Sequence, residues 1–114
     1  MNVTEREVRK LVLSNGEVPF DRWFGALKDI RLQVAIDAQI ARLRAGNFGD
    51  VKSVGDGVQE LRIDKGPGLR IYIAMHGAKL VILLGGGDKS TQARDITRAK
   101  QFWNDFKTYA SKKL

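Results

Sequence analysis

Two arginines on either side of a glycine-centred turn are the residues of this chain best suited to hold an anion. In ELRIDKGPGLRIYI, residues 60–73, Arg62 and Arg70 each sit in a short apolar run, and Gly66-Pro67-Gly68 separates the runs. Arginine stays protonated at neutral pH and offers two parallel donors to phosphate or carboxylate oxygens. Strand alternation puts Leu61 and Ile63 on one face of the first run and Leu69, Ile71 and Ile73 on the matching face of the second. A hairpin closing at Gly66 therefore sets Arg62 opposite Arg70. Like charges opposed across a ladder cost about 0.2–1 kcal/mol, so the pair calls for an anion. Glu60 and Asp64 flank Arg62 at a spacing of two and are able to neutralise it within the sheet. Arg70 has only Tyr72 and Ala74 beside it on that face, so its partner is expected from outside the strand, and a phosphate fits.

A second element of the same chemistry is GGGDK, residues 85–89. A two-residue turn at Gly77-Ala78 pairs His76 with Lys79, and the count then sets Arg70 opposite Gly85. On this reading the glycine run ends the last strand, its backbone N–H groups approach an anion closely, and Lys89 follows at the same corner. The run lacks the spacing of a nucleotide-binding phosphate loop. His76, the one histidine, is expected as an exposed turn residue rather than a catalyst. With no cysteine and one histidine, no metal site and no cofactor are expected.

These residues need a sheet to hold them. Val8 to Leu13 reads as a strand closed by Ser14-Asn15-Gly16. Pro19 opens a helix with Phe20, Phe24 and Leu27 at helical spacing to about Lys28, and a second helix carries Leu32, Ile36, Ile40 and Leu43 on one stripe until Gly46. A short strand around Val51 to Val54 brings Lys52, and three further strands follow: Val58 to Asp64, Leu69 to His76 and Lys79 to Leu84. The last is apolar throughout, as a central strand covered on both faces would be. From about Thr91 a helix runs with Ile96, Ala99, Trp103, Phe106 and Ala110 on one face. The 114 residues suit a single domain, 1–114, with no repeat or low-complexity segment.

Twenty Lys and Arg against 13 Asp and Glu give a net charge of +7 and a pI near 10.0, which favours a polyanionic partner, nucleic acid first. The amino terminus is charged and the longest apolar run, Leu80 to Leu84, is far below a membrane span, so a cytoplasmic protein without membrane contact is expected.

The ordered set GNFGDVK, ELRI, GPGLR and GGDKSTQ resembles the addiction-module killer proteins, the HigB-like branch of the RelE/ParE toxin superfamily. The resemblance covers most of the chain. It implies an α+β fold, a compact RelE-like domain whose antiparallel-rich twisted sheet packs on an N-terminal helical hairpin, with a C-terminal helix. It also implies the toxin of a type II toxin–antitoxin system, neutralised by an antitoxin of helix-turn-helix type encoded beside it. RelE-like members cut messenger RNA on the ribosome without a metal, whereas ParE-like members poison DNA gyrase; a gyrase inhibitor and an RNA-binding relative without cleavage are the alternatives. Carried over by residue, Arg70, Lys89 and Arg62 are the catalytic candidates, and Lys52, Lys65, Tyr72 and Gln92 the RNA-binding ones. The tyrosine or histidine usual near the family's final segment has no counterpart in STQARDITRAK. Proton transfer therefore falls to Lys89 or Lys52, which needs a lysine pKa lowered by neighbouring cations.

Overall fold

The computed structural model describes residues 5–113. Its α+β architecture is the expected one: a five-stranded mixed sheet of order β1-β5-β4-β3-β2, with helices on both faces. The strands are β1 (Glu7–Lys10), β2 (Asp50–Gly55), β3 (Val58–Ile63), β4 (Leu69–His76) and β5 (Leu80–Asp88). The helices are α1 (Pro19–Ala26), α2 (Ile30–Arg44) and α3 (Gln92–Lys113), the last preceded by a 3-10 turn at Lys89–Thr91.

Pro19 stands in the first turn of α1, where its missing N–H is not needed. Asp29 caps α2 by accepting a 2.9 Å bond from the Arg31 N–H, and Gln33 Nε2 donates to the carbonyls of Phe24 and Leu27, which fixes the corner between α1 and α2. The α2 stripe packs as its period demands. Ile36, Ile40 and Leu43 meet Leu61, Ile63, Leu69, Ile71 and Ile73 in the core on that face of the sheet. On the other face Ala99 and Trp103 of α3 cover Val58, Tyr72, Ala74, Ile82 and Leu84. This two-sided covering explains why β5 is apolar at consecutive positions.

Three details differ from the sequence reading. The first strand is shorter, Glu7–Lys10, and pairs in parallel with Leu80–Leu83 of β5. The glycine run does not end β5 but lies inside it, because the strand continues to Asp88. The register also moves: His76 pairs with Leu80, and an irregularity between Tyr72 and Ile73 brings Tyr72 opposite Gly85 and Arg70 opposite Gly87. A longer turn and one bulged residue on β5 together shift the count by two, so facing alternation on β4 survives while its partners change.

Two of the three glycines in β5 answer to packing. A Cβ on Gly86 would run into the ring of Trp23 from α1, and one on Gly87 into the carboxylate of Asp95 from α3. Helices approach the strand from both sides at a distance that only glycine allows, which is a different reason for the run than an anion cradle.

Candidate nucleic-acid interface

Arg62 and Arg70 are register partners across β3 and β4, as the alternation requires. The anion between them is internal. Glu60 is fully buried, and its carboxylate accepts a 3.1 Å bond from Arg62 Nε while lying 3.6 Å from Arg70 Nε. The same carboxylate accepts from Tyr72 Oη at 3.2 Å and from Gln92 Nε2 at 3.0 and 3.3 Å. The expectation that Arg70 lacks a partner on the sheet is corrected: Glu60 stands directly opposite Tyr72, diagonal to Arg70. A signal for this was in the sequence, since setting 62 against 70 necessarily sets 60 against 72.

The ladders arrange the polar face in two rows. One runs Asp50, Arg62, Arg70, Gly87 across β2 to β5, and the other runs Lys52, Glu60, Tyr72, Gly85. Directly opposed residues share a face, so Lys52 projects on the side of Glu60 and is exposed at the β2 edge. The Arg62 side chain keeps 37% exposure, whereas that of Arg70 is 11% exposed. Arg70 Nη1 donates to the Gly68 carbonyl at 2.7 Å, and its buried Nε lacks a partner within hydrogen-bond distance. The guanidinium is thus held from its strand side and only partly satisfied.

Lys89 reaches the same corner. Its N–H donates to the Pro67 carbonyl at 3.4 Å, and a Cβ on Gly68 would lie 3.2 Å from Arg70 Nη1 and 3.5 Å from Lys89 Cβ. Both cations therefore border Gly68, whose φ of +79° suits glycine. Lys65 is exposed in the same β3–β4 turn, and Gln92, half-buried at the start of α3, spans from that helix to Glu60. Tyr72 is 1% exposed with its hydroxyl on Glu60, so it lies beneath the surface rather than on it. His76 is exposed, as expected, with its ring edge-on to Phe106 and Trp103.

Burial pushes the Glu60 carboxyl up, but hydrogen bonds from Gln92, Arg62 and Tyr72 and the charge of Arg70 outweigh it and leave the group below the ordinary carboxylate value. Burial, followed by the adjacent Glu60 charge, drives the Tyr72 phenol well above its usual range. Asp88 is held low chiefly by the hydroxyl of Ser90. The result is a buried anion held between Arg62 and Arg70, with Lys89 bordering Gly68, Lys52 opposite Glu60 in the ladder and Lys65 in the β3–β4 turn. Among the described residues no group of three His, Cys, Asp or Glu side chains is close enough to hold a metal ion.

The family model for the Phage derived protein Gp49-like family (DUF891) matches residues 22–104, most of the chain and nearly all of the sheet. The chain belongs to the Gp49-like family. This is a toxin-like family of the RelE/HigB type. An uncharacterized protein of Haemophilus influenzae is 57% identical over 81 residues, which span 71% of this chain and 82% of that protein. No solved structure matches. The Gp49-like match runs from α1 into α3 and so includes Lys52, Arg62, Lys65, Arg70, Tyr72, Lys89 and Gln92. Among the described residues no helix is long and apolar enough to cross a membrane.

Proposed function

We propose that this chain is the toxin of a type II toxin–antitoxin pair and cuts messenger RNA on the ribosome, with Arg70 at the centre of the reaction. The observation that carries the reading is the partly satisfied Arg70 guanidinium, held by Gly68 and Glu60 beside Lys89 and Arg62. In such a reaction the RNA 2′-hydroxyl attacks the adjacent phosphorus and the 5′-oxygen leaves. The protein must stabilise charge on the nonbridging oxygens and move two protons.

Arg70 and Arg62 take the first task. Their charge-assisted donors suit phosphate oxygens, and Glu60 fixes where the donors point. Glu60, Tyr72 and Gln92 are positioning residues, so Tyr72 supports the site from below rather than stacking on a base. Lys89 is the proton-transfer group, and Lys52 and Lys65 with Arg62 guide the RNA backbone. Among the described residues Tyr72 is buried and His76 lies against Trp103 and Phe106, so a site built on arginine and lysine needs its substrate delivered in a reactive geometry, which is the ribosome's part.

The experiment is to add the protein to a translation reaction and map messenger-RNA ends, with a gyrase supercoiling assay run in parallel. Codon-periodic ends support the nuclease. Loss of supercoiling without cuts replaces it with a gyrase inhibitor, and salt-sensitive RNA binding without cuts replaces it with a non-cleaving RNA binder.

A further inference from the structure

β1 is too short for the strand it protects. It covers β5 only from Leu80 to Leu83, and the last main-chain bond on that edge, among the described residues, is Leu11 N–H to the Leu83 carbonyl at 2.9 Å. The chain then turns away at Leu13 to Gly16 and enters α1. β5 continues for Leu84-Gly85-Gly86-Gly87-Asp88 with β4 on its other side. Among the described residues, five residues of a central strand thus keep one edge without a paired strand, over about 17 Å at ~3.3 Å per residue.

That edge opens into a cleft of about 720 Å³ between the two helical layers. Pro19, Trp23 and Ala26 of α1 line one wall, Arg94, Arg98 and Phe102 of α3 the other, and Gly85 to Asp88 the floor. Unpaired backbone donors and acceptors in a walled slot demand a partner that supplies the complementary set, and an extended polypeptide does so residue by residue.

We propose that the free edge of β5 from Leu84 to Asp88 is a docking slot for an extended peptide segment of a partner protein, added to the sheet in line with β1. The walls state the segment's chemistry. Alternate side chains would face Pro19 and Trp23 on one side, where apolar residues fit, and Arg94 and Arg98 on the other. Among the described residues Arg98 is exposed and has no ion-pair partner, while Arg94 is 3.8 Å from Asp95, its neighbour on the same helix; Glu17, Asp88 and Asp95 also line the cleft, so an acidic residue of the segment fits beside Arg98 in particular. Lys52, Lys65 and Lys89 do not line the slot, but Tyr72 does, and Gly85 and Gly87 are the ladder partners of Tyr72 and Arg70, so the slot adjoins the candidate site. The assignment of the segment to an antitoxin rests on the toxin reading above.

The test co-expresses this chain with the protein encoded by the adjacent reading frame and follows amide hydrogen exchange of the complex against the free chain. Alternate amides of Leu84 to Asp88 should gain at least about tenfold protection. Arg98→Glu should weaken the complex by at least about tenfold, and Ala26→Trp, a bulky change at an exposed helical position in the slot wall, should do the same without unfolding the chain. A tight complex whose slot amides stay unprotected would overturn the slot and leave the toxin reading intact. An adjacent protein that neither binds nor relieves growth inhibition would instead overturn the toxin reading and the proposed occupant together. Slot protection produced by an RNA oligonucleotide, or by raising the concentration of the free chain, would overturn the proposal in favour of nucleic acid or a second copy.

Discussion

Arg62 and Arg70 face each other across the β3–β4 ladder, and one buried carboxylate, Glu60, serves both. Mutual repulsion of the two guanidiniums is offset within the fold, while each keeps donor capacity for a second anion. Arg62 is the more accessible, and Arg70 the more tightly held. A pair arranged this way is preorganised, because its orientation is set before substrate arrives.

Arg70→Ala should lower single-turnover cleavage on programmed ribosomes by about 10²–10³-fold, the usual cost of one well-placed donor to transition-state charge. Arg62→Ala should cost less, since its side chain is partly in solvent. Near-ultraviolet circular dichroism reports whether each variant keeps its packing. A folded Arg70→Ala protein with unimpaired cleavage would remove Arg70 from the site.

Glu60→Gln keeps the shape and removes the charge. Tyr72 and Gln92 retain a polar neighbour, but the two arginines lose their common anion, and the fold should lose about 1–3 kcal/mol in urea denaturation. Cleavage should fall by about 10–100-fold through misdirected guanidiniums, while RNA binding should be equal or tighter because a negative charge is gone. Weaker RNA binding with unchanged cleavage is the opposite split and would show that Glu60 does not position the pair.

Stability should decline at both ends of the pH scale for identifiable reasons. Glu60 and Asp88 have folded-state pKa values below their unfolded ones, so their contribution is complete above about pH 4.3 and is lost as pH falls through the lowered values. Tyr72 is raised, so its contribution is complete below about pH 10 and is lost as pH rises, when a phenolate would meet Glu60. Tyr72→Phe should therefore flatten the alkaline limb and leave the acid limb in place. Thermal melts across pH measure both limbs, and an alkaline limb unchanged by the substitution would contradict the Tyr72 assignment.

Lys89→Arg separates two roles. If Lys89 transfers a proton, arginine should be nearly as inactive as alanine, because it stays protonated near neutral pH; if Lys89 only attracts phosphate, arginine should rescue. Rates of both variants across pH make the comparison. Rescue with an unchanged pH profile would exclude acid–base work at Lys89 and move it to Lys52.

Gly86→Ala should destabilise by about 1–3 kcal/mol, since the added methyl meets the Trp23 ring. Trp23→Ala in the same chain should recover part of that loss, and the double-mutant cycle isolates the coupling. Additive effects would mean that Trp23 does not pack on Gly86.

Much of the fold was legible because periodicity is local. Helical spacing marked Ile36, Ile40 and Leu43 as the buried stripe of α2, and alternation set Arg62 against Arg70. What depends on counting across strands was not legible. A turn one residue longer than assumed and a bulge by Gly85 moved the partner of Arg70 from Gly85 to Gly87, and nothing in a single strand's pattern encodes that shift. The glycine run looked like an anion loop because backbone freedom and close packing call for the same residue, and only Trp23 and Asp95, brought in by separate helices, distinguish the two. The residue types of the site came from the sequence itself: two arginines, a lysine and a carboxylate at hairpin spacing. Their joining into one cluster was decided by tertiary structure, because Gln92 begins a helix remote in the chain and only its docking closes the shell around Glu60.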